Sequence, residues 1–338
     1  MTTIAIDAMG GDLAPRAEVE GAILASREYG VRILLVGIEA AIRQELARHK
    51  WDALPIEIVN ATEVISMTDS PSHAFRRKKG SSLHVAAQLV RDAKAEALVT
   101  AGNTGAAMTI ARFVIGTLPS VDRPALAAAF PNMKDKVSIV LDVGANVDSK
   151  PEQLEQFAVM GEIYYRAIWG TKKPRVALLS IGEEEMKGNE LTREAAIRLK
   201  QTTLNFVGNV EGRDVFRGNV DVIVCDGFVG NIALKLSEGV VEQIGTMLKK
   251  AIKSSLASQV GYALSKRAFD TLRKSTDYSE YGGAPLLGVR GITVIGHGRS
   301  NPNAIKNAIR VAAELCRSGV NEKIEQELSA AATVAARG

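Results

Sequence analysis

Cysteine is almost absent: Cys225 and Cys316 are the only two in 338 residues, and they show no metal or redox spacing. A disulfide-stapled secreted fold is thereby excluded, and two buried cytosolic thiols are expected. The four histidines, His49, His73, His84 and His297, are scattered along the chain, so no metal site is expected. No apolar run approaches the ~20 residues that span a bilayer; Arg112 interrupts the longest candidate, over 97–114. Charge of one sign is scarce too. A net charge of +4 is too small to suggest nucleic acid as a partner. A strand-like run begins at residue 3, so no cleavable leader is expected. Three familiar chemistries lack their motifs: there is no G-x-G-x-x-G dinucleotide fingerprint, no G-x-x-x-x-G-K-[ST] phosphate loop and no G-x-S-x-G nucleophile elbow.

What is present is regular. Hydrophobic residues make up 46% of the chain and charged residues 24%, ordinary for a globular protein. Short apolar runs at 3–7, 32–36, 56–59, 97–100, 137–141, 176–180, 221–225 and 291–295 predict strands. Amphipathic or Ala-rich stretches between them, such as 17–29, 39–49, 83–93, 152–169, 191–200 and 303–317, predict helices. Such alternation predicts an α/β fold, a mainly parallel sheet with helical crossovers. The strands are rich in Val, Ile and Leu with little polar alternation, as a sheet buried on both faces requires. No linker divides the chain, so residues 1–338 are expected to form a single unit with two poorly separated lobes. The longest helical pattern covers 231–274, too long for one compact layer, and predicts a projecting helical pair with an amphipathic segment at 240–275. Between 245 and 275 seven basic residues, Lys249, Lys250, Lys253, Lys266, Arg267, Arg273 and Lys274, face one acid, Asp270. The local charge is +6 and the rest of the chain carries −2, so this segment suits anionic lipid or an acidic protein.

Six of the strands run into turns rich in Gly, Asn and acid, at 6–12, 101–106, 141–146, 181–188, 225–231 and 295–301. Ligands bind beyond the carboxyl ends of parallel strands, where Gly admits close approach and helix N-termini attract anions. Six such turns on one edge predict an anion-binding crevice, although any one of them can be merely a tight turn. The crevice would hold one lysine, Lys187, amide side chains at Asn103, Asn146 and Asn231, and no obvious covalent nucleophile.

The turns spell out longer motifs. Ile-Asp-Ala-Met-Gly-Gly-Asp at 6–12, Gly-Asn-Thr-Gly-Ala at 102–106 and Leu-Asp-Val-Gly-Ala-Asn at 141–146 resemble those of the PlsX family. So do Gly-Glu-Glu-Glu-Met-Lys-Gly at 182–188, Cys-Asp-Gly-Phe-Val-Gly-Asn at 225–231 and Tyr-Gly-Gly-Ala-Pro-Leu-Leu-Gly at 281–288. The match runs in order from Ile4 to about Asn307. That family consists of bacterial phosphate:acyl-carrier-protein acyltransferases of phospholipid synthesis. The resemblance implies an isocitrate/isopropylmalate dehydrogenase-like fold related to phosphotransacetylases. It implies reversible transfer of a long-chain acyl group from acyl carrier protein to inorganic phosphate, with no cofactor. It also implies a cytoplasmic homodimer, peripherally bound to an anionic membrane surface near the downstream glycerol-3-phosphate acyltransferase, with no nucleic acid as partner.

The implied chemistry accounts for the missing nucleophile. Phosphate is already anionic, and a pantetheine thiol with a pKa near 8.5 leaves readily, so a cation and amide donors suffice. Lys187 and Asn231 fit these roles, although a solvated lysine at a helix start and a helix N-cap are alternatives. Asp7, Gly10, Gly11, Asp12, Asn103, Thr104, Gly105, Asn146, Gly230, His297 and Ser300 are candidates to line phosphate or the carrier arm. Several of these residue types also satisfy turn backbones. Arg76, Arg77 and the two lysines after them form a second basic run that either docks the acidic carrier or is a solvated face. Two other functions fit less of this: a short-chain, coenzyme A-dependent phosphotransacetylase, and a non-enzymatic membrane scaffold for lipid-synthesis enzymes. A nicotinamide dehydrogenase would rest on fold analogy alone.

Overall fold

The computed structural model describes residues 1–276 and 280–335, excepting the side chains of 272–276 and 331–335. Arg273 and Lys274 of the basic segment therefore lie outside the described side chains. Among the described residues eleven strands form one sheet. In chain order they are β1 (Thr3–Asp7), β2 (Arg32–Gly37), β3 (Ile56–Asn60), β4 (Ala97–Thr100), β5 (Ala125–Pro131) and β6 (Val137–Leu141). Then follow β7 (Arg175–Leu179), β8 (Asn205–Val210), β9 (Val222–Val224), β10 (Ala284–Leu287) and β11 (Ile292–Ile295). Across the sheet the order is β3-β2-β1-β4-β11-β10-β5-β6-β9-β7-β8.

Two half-sheets are each parallel. One contains β3, β2, β1, β4 and β11, the other β6, β9, β7 and β8. The central pair β10–β5 is antiparallel, and β10 and β5 are also antiparallel to their outer neighbours β11 and β6. Three reversals leave the two halves running in opposite directions. The six glycine-rich turns therefore do not share one edge, as the sequence suggested; three follow strands of each half. Register brings them together all the same. Pro285 pairs with Val294, Leu286 with Leu126 and Ala127 with Leu141. Leu141, the last residue of β6, thus lies level with Val294, one residue short of the end of β11. The carboxyl ends of both halves meet at the middle of the molecule.

Residues of single strands contribute alternately to two apolar cores, one on each face. Ile4, Ile6, Leu35 and Val99 belong to one, Ala5, Leu34, Leu98 and Ile223 to the other. Both faces are covered by helices, which is why the strands read as continuous apolar runs. Phe157, in the helix Pro151–Trp169, is fully buried.

The helical pattern at 231–274 is interrupted. A long helix, Gly227–Lys253, is followed by Leu256–Leu264 and Lys266–Thr276. Serine side chains make the first break: Ser254 Oγ donates to the Ala251 carbonyl at 2.7 Å, and Ser255 Oγ accepts from Ser258 N at 3.1 Å. Such local hydrogen bonds compete with a continuing helix. Beyond Asn231 this segment is mostly exposed, apolar residues included: Leu236 67%, Ile244 59%, Leu256 81% and Leu264 84%.

Candidate active site

The turns of the first half interlock. Asp7, buried at the end of β1, accepts from Thr100 Oγ1 at 2.8 Å and from Met9 N at 3.3 Å. A Cβ at Gly10 would lie 2.5 Å from Asp7 Oδ2 and 2.9 Å from Gly102 N, so only glycine fits there. Asp12 N donates to the Gly298 carbonyl at 2.7 Å, joining the turn after β1 to that after β11. Beneath this turn lies Glu18, which sequence reasoning passed over. It is 1% exposed; Oε1 accepts from Gly11 N at 3.2 Å, and Oε2 has no partner among the described residues. Burial pushes its pKa up to about 7, with the charges of Asp7 and Asp12 adding and backbone hydrogen bonds opposing. The one available signal was an acid in the first helical turn after Gly-Gly-Asp.

Asn103 caps the helix Thr104–Ile110, accepting from Ala106 N at 3.0 Å. Its Nδ2 donates to the carbonyls of Ser66, Met67 and Asp69 at 2.9–3.2 Å, clamping the 66–69 loop beside the crevice. Thr104 is exposed at the helix start, and Gly105 lies against Pro71. Ser300 is buried near Gly296.

In the second half the buried carboxylate of Asp142 gathers five donors: the backbone N–H of Leu126, Gly144, Ala145 and Asn146, and Asn146 Nδ2, all at 2.7–3.1 Å. Asn146 Nδ2 also donates to the Pro124 carbonyl at 2.8 Å, so this amide braces its turn. The long helix starts against that turn. Its cap is Asp226, which accepts from Phe228 N at 2.9 Å, and not Asn231. Cβ atoms at Gly227 and Gly230 would meet Asn146 O at 2.1 Å and Asp142 O at 1.9 Å. This close approach brings Asn231, on the next exposed position, over Gly144. Asn231 makes no side-chain hydrogen bond among the described residues.

Lys187 is exposed in the turn after β7, the neighbour of β9, two residues ahead of the cap Asn189 rather than at a helix start. Of the three glutamates beside it, Glu183 faces Arg213 at 3.9 Å and Glu185 pairs with Lys200 at 2.6 Å. No carboxylate pairs with Lys187 among the described residues. The long helix then crosses the crevice to the other half: Glu238 lies 3.5 Å from His297 Nε2, and Glu242 3.7 Å from Arg299. Burial lowers the pKa of His297, with Glu238 opposing. Cys225 is buried against the Asp142 carbonyl, and burial drives its thiol pKa far up, which removes it as a nucleophile. Among the described residues no group of three or more His, Cys, Asp or Glu side chains is placed to hold a metal ion.

The basic candidates lie on two surfaces. Lys249, Lys250, Lys253, Lys266 and Arg267 are exposed on the helical projection, Lys249 being 18 residues beyond Asn231, about 27 Å along the helix. Arg76 and Arg77 are exposed at the end of the helix Pro71–Arg77, whereas Lys78 pairs with Asp69 at 2.6 Å.

Residues 2–323 match the family described as fatty acid synthesis protein. A phosphate acyltransferase from Koribacter versatilis is 59% identical over 335 residues, covering 97% of this chain and 93% of its own. Another, from Acidobacterium capsulatum, is 54% identical over 333 residues and 98% of each chain. Among solved structures, a phosphotransacetylase from Streptococcus pyogenes superposes with a TM-score of 0.60 at 16% identity, over 93% of this chain and 94% of its own. At that identity the likeness is one of fold.

Proposed function

Because this chain belongs to the fatty acid synthesis protein family, and its relatives there are phosphate acyltransferases, we propose that it moves a long-chain acyl group from acyl carrier protein onto inorganic phosphate. It is an acyltransferase, and phosphate is the acceptor. The observation that carries the assignment to this crevice is the pairing of two uncommitted groups at adjacent strand ends. Among the described residues Lys187 has no carboxylate partner despite three neighbouring glutamates, and the exposed Asn231 makes no side-chain hydrogen bond.

A phosphate oxygen attacks the thioester carbonyl carbon, and the C–S bond then breaks. The pantetheine thiolate leaves and takes a proton from solvent, giving acyl phosphate and the carrier thiol. Lys187 offsets the charge of the incoming phosphate, and Asn231 Nδ2–H donates to the oxyanion on the former carbonyl oxygen. Gly10, Gly11, Thr104, Gly105, Gly230, His297 and Ser300 shape the walls, while Asp7, Asn103 and Asn146 hold the turns in place. The enzyme works as a homodimer at an anionic membrane surface, where the exposed apolar and basic residues of 240–271 reach lipid. No helix among the described residues is long and apolar enough to cross a membrane.

Hydroxylamine trapping tests this reading. Acyl carrier protein thioester plus phosphate should yield a phosphate-dependent hydroxamate, faster than acyl coenzyme A does. An absent hydroxamate, or preference for coenzyme A, would refute it.

A further inference from the structure

Between the two halves lies a cavity of about 250 Å³, walled by Pro71, Met108, Arg112 and Phe113 on one side and Ala145 and Asn146 on the other. Ala145 and Asn146 line it, and Asn231 lies against Gly144 of the same turn. Its volume lies below the roughly 300–1,000 Å³ of ordinary small-molecule pockets, which suits a narrow chain threaded through better than a bulky head group.

Arg112 is the cavity's one cation, and its situation is unusual. The helix Thr104–Ile110 runs into a π-helical turn, Ala111–Ile115, that ends at Gly116 with φ 93°. Such turns are frequent at functional sites. This one holds Arg112 half-buried, its guanidinium 5.3 Å from the ring of Phe113, which is itself 61% exposed. Among the described residues Arg112 makes no hydrogen bond and no ion pair. Burial lowers its pKa, Arg123 adds to the effect, and Asp122 opposes it without closing to an ion pair. The guanidinium's donors are therefore available to an anion that enters the cavity.

Resting on the acyl-carrier reading above, we propose that this cavity receives the phosphopantetheine arm of the thioester donor. The guanidinium of Arg112 binds the arm's phosphoryl oxygens, and Met108 and Phe113 lie along its methylene and dimethyl groups. The arm then delivers its thioester past the 144–146 turn to Asn231. A phosphoryl oxyanion can also come from the acceptor, inorganic phosphate. The apolar lining favours the arm, since free phosphate has no methylenes to bury.

Two donors that differ only in the phosphate, acyl-pantetheine and acyl-4′-phosphopantetheine, separate these possibilities. Wild-type enzyme should prefer the phosphorylated donor in kcat/KM. Arg112→Ala should reduce that preference by about 10–100-fold, the worth of a charged hydrogen bond, and raise KM for acyl carrier protein thioester. Its kcat/KM on acyl-pantetheine and its KM for phosphate should stay within about twofold, which also reports an intact fold. Arg112→Lys should recover part of the preference. Equal losses on both donors, a raised KM for phosphate, or a wild-type enzyme indifferent to the donor's phosphate would overturn the proposal. A wild-type enzyme inert toward carrier thioester yet active on another donor would overturn the acyl-carrier reading instead.

Discussion

Among the described residues Lys187 and Asn231 make no side-chain hydrogen bond or ion pair, unlike the residues that hold the turns in place. Asp142 holds five donors, Asn146 braces two acceptors and Asn103 clamps three carbonyls. Removing one such transition-state donor costs about 10²–10³ in rate. Lys187→Ala and Asn231→Ala should each fold normally and lose nearly all turnover; retention of a third of wild-type activity by either would remove its role. Glu18 gives a different prediction. Its folded pKa near 7 lies above the ordinary 4.5. The folded chain holds this proton more tightly than the unfolded chain. Its contribution to stability is therefore full below about pH 4.5, is lost as pH rises to about 7, and changes little beyond. Glu18→Gln should raise stability at pH 8 by roughly 2–3 kcal/mol and leave pH 4.5 nearly unchanged, read from denaturant unfolding at both values. An unaltered pH dependence would contradict the assignment. Residue types at strand ends were legible in the sequence. Which amides were committed was not, because that depends on carbonyls 34–37 residues away, as at Asn103.

Elements were legible where propensity and burial agree. β1, β2, β3, β4, β6, β7, β9 and β11 are runs of Val, Ile and Leu and were predicted close to their observed bounds. The three strands that sequence reasoning passed over lack that signature. β5 is Ala-Leu-Ala-Ala-Ala-Phe-Pro, β8 carries Gly208 and Asn209, and β10 is four residues including Pro285. Each is held by its neighbours more than by intrinsic preference. The helical projection obeys the opposite logic: its apolar residues repeat at helical spacing but have no core to enter. Leu256, Val260 and Leu264 are 81%, 59% and 84% exposed, beside exposed lysines. Apolar groups set into a headgroup boundary with basic residues toward anionic lipid suit that pattern, at about 1 kcal/mol per basic residue. Binding to anionic vesicles should weaken with salt and vanish when Lys249, Lys250 and Lys253 are all replaced by Glu, while turnover in solution persists. Vesicle binding indifferent to both would place the anchor elsewhere.

At the scale of the molecule, two parallel half-sheets of opposite direction meet through β10 and β5, and the stagger between them sets their carboxyl ends face to face. Local sequence carries no signal for this, since strand direction across a sheet is settled by pairings such as Leu286 with Leu126, 160 residues apart. The consequence is a crevice to which the strand-end turns of both halves contribute. Cys225 and Ser300, the thiol and the serine hydroxyl within the turns, are both buried. Transfer should therefore be direct, within a ternary complex. Initial velocities measured with acyl carrier protein thioester and phosphate both varied test this most directly. Intersecting double-reciprocal lines are predicted; parallel lines, the pattern of a covalent acyl-enzyme, would contradict the account.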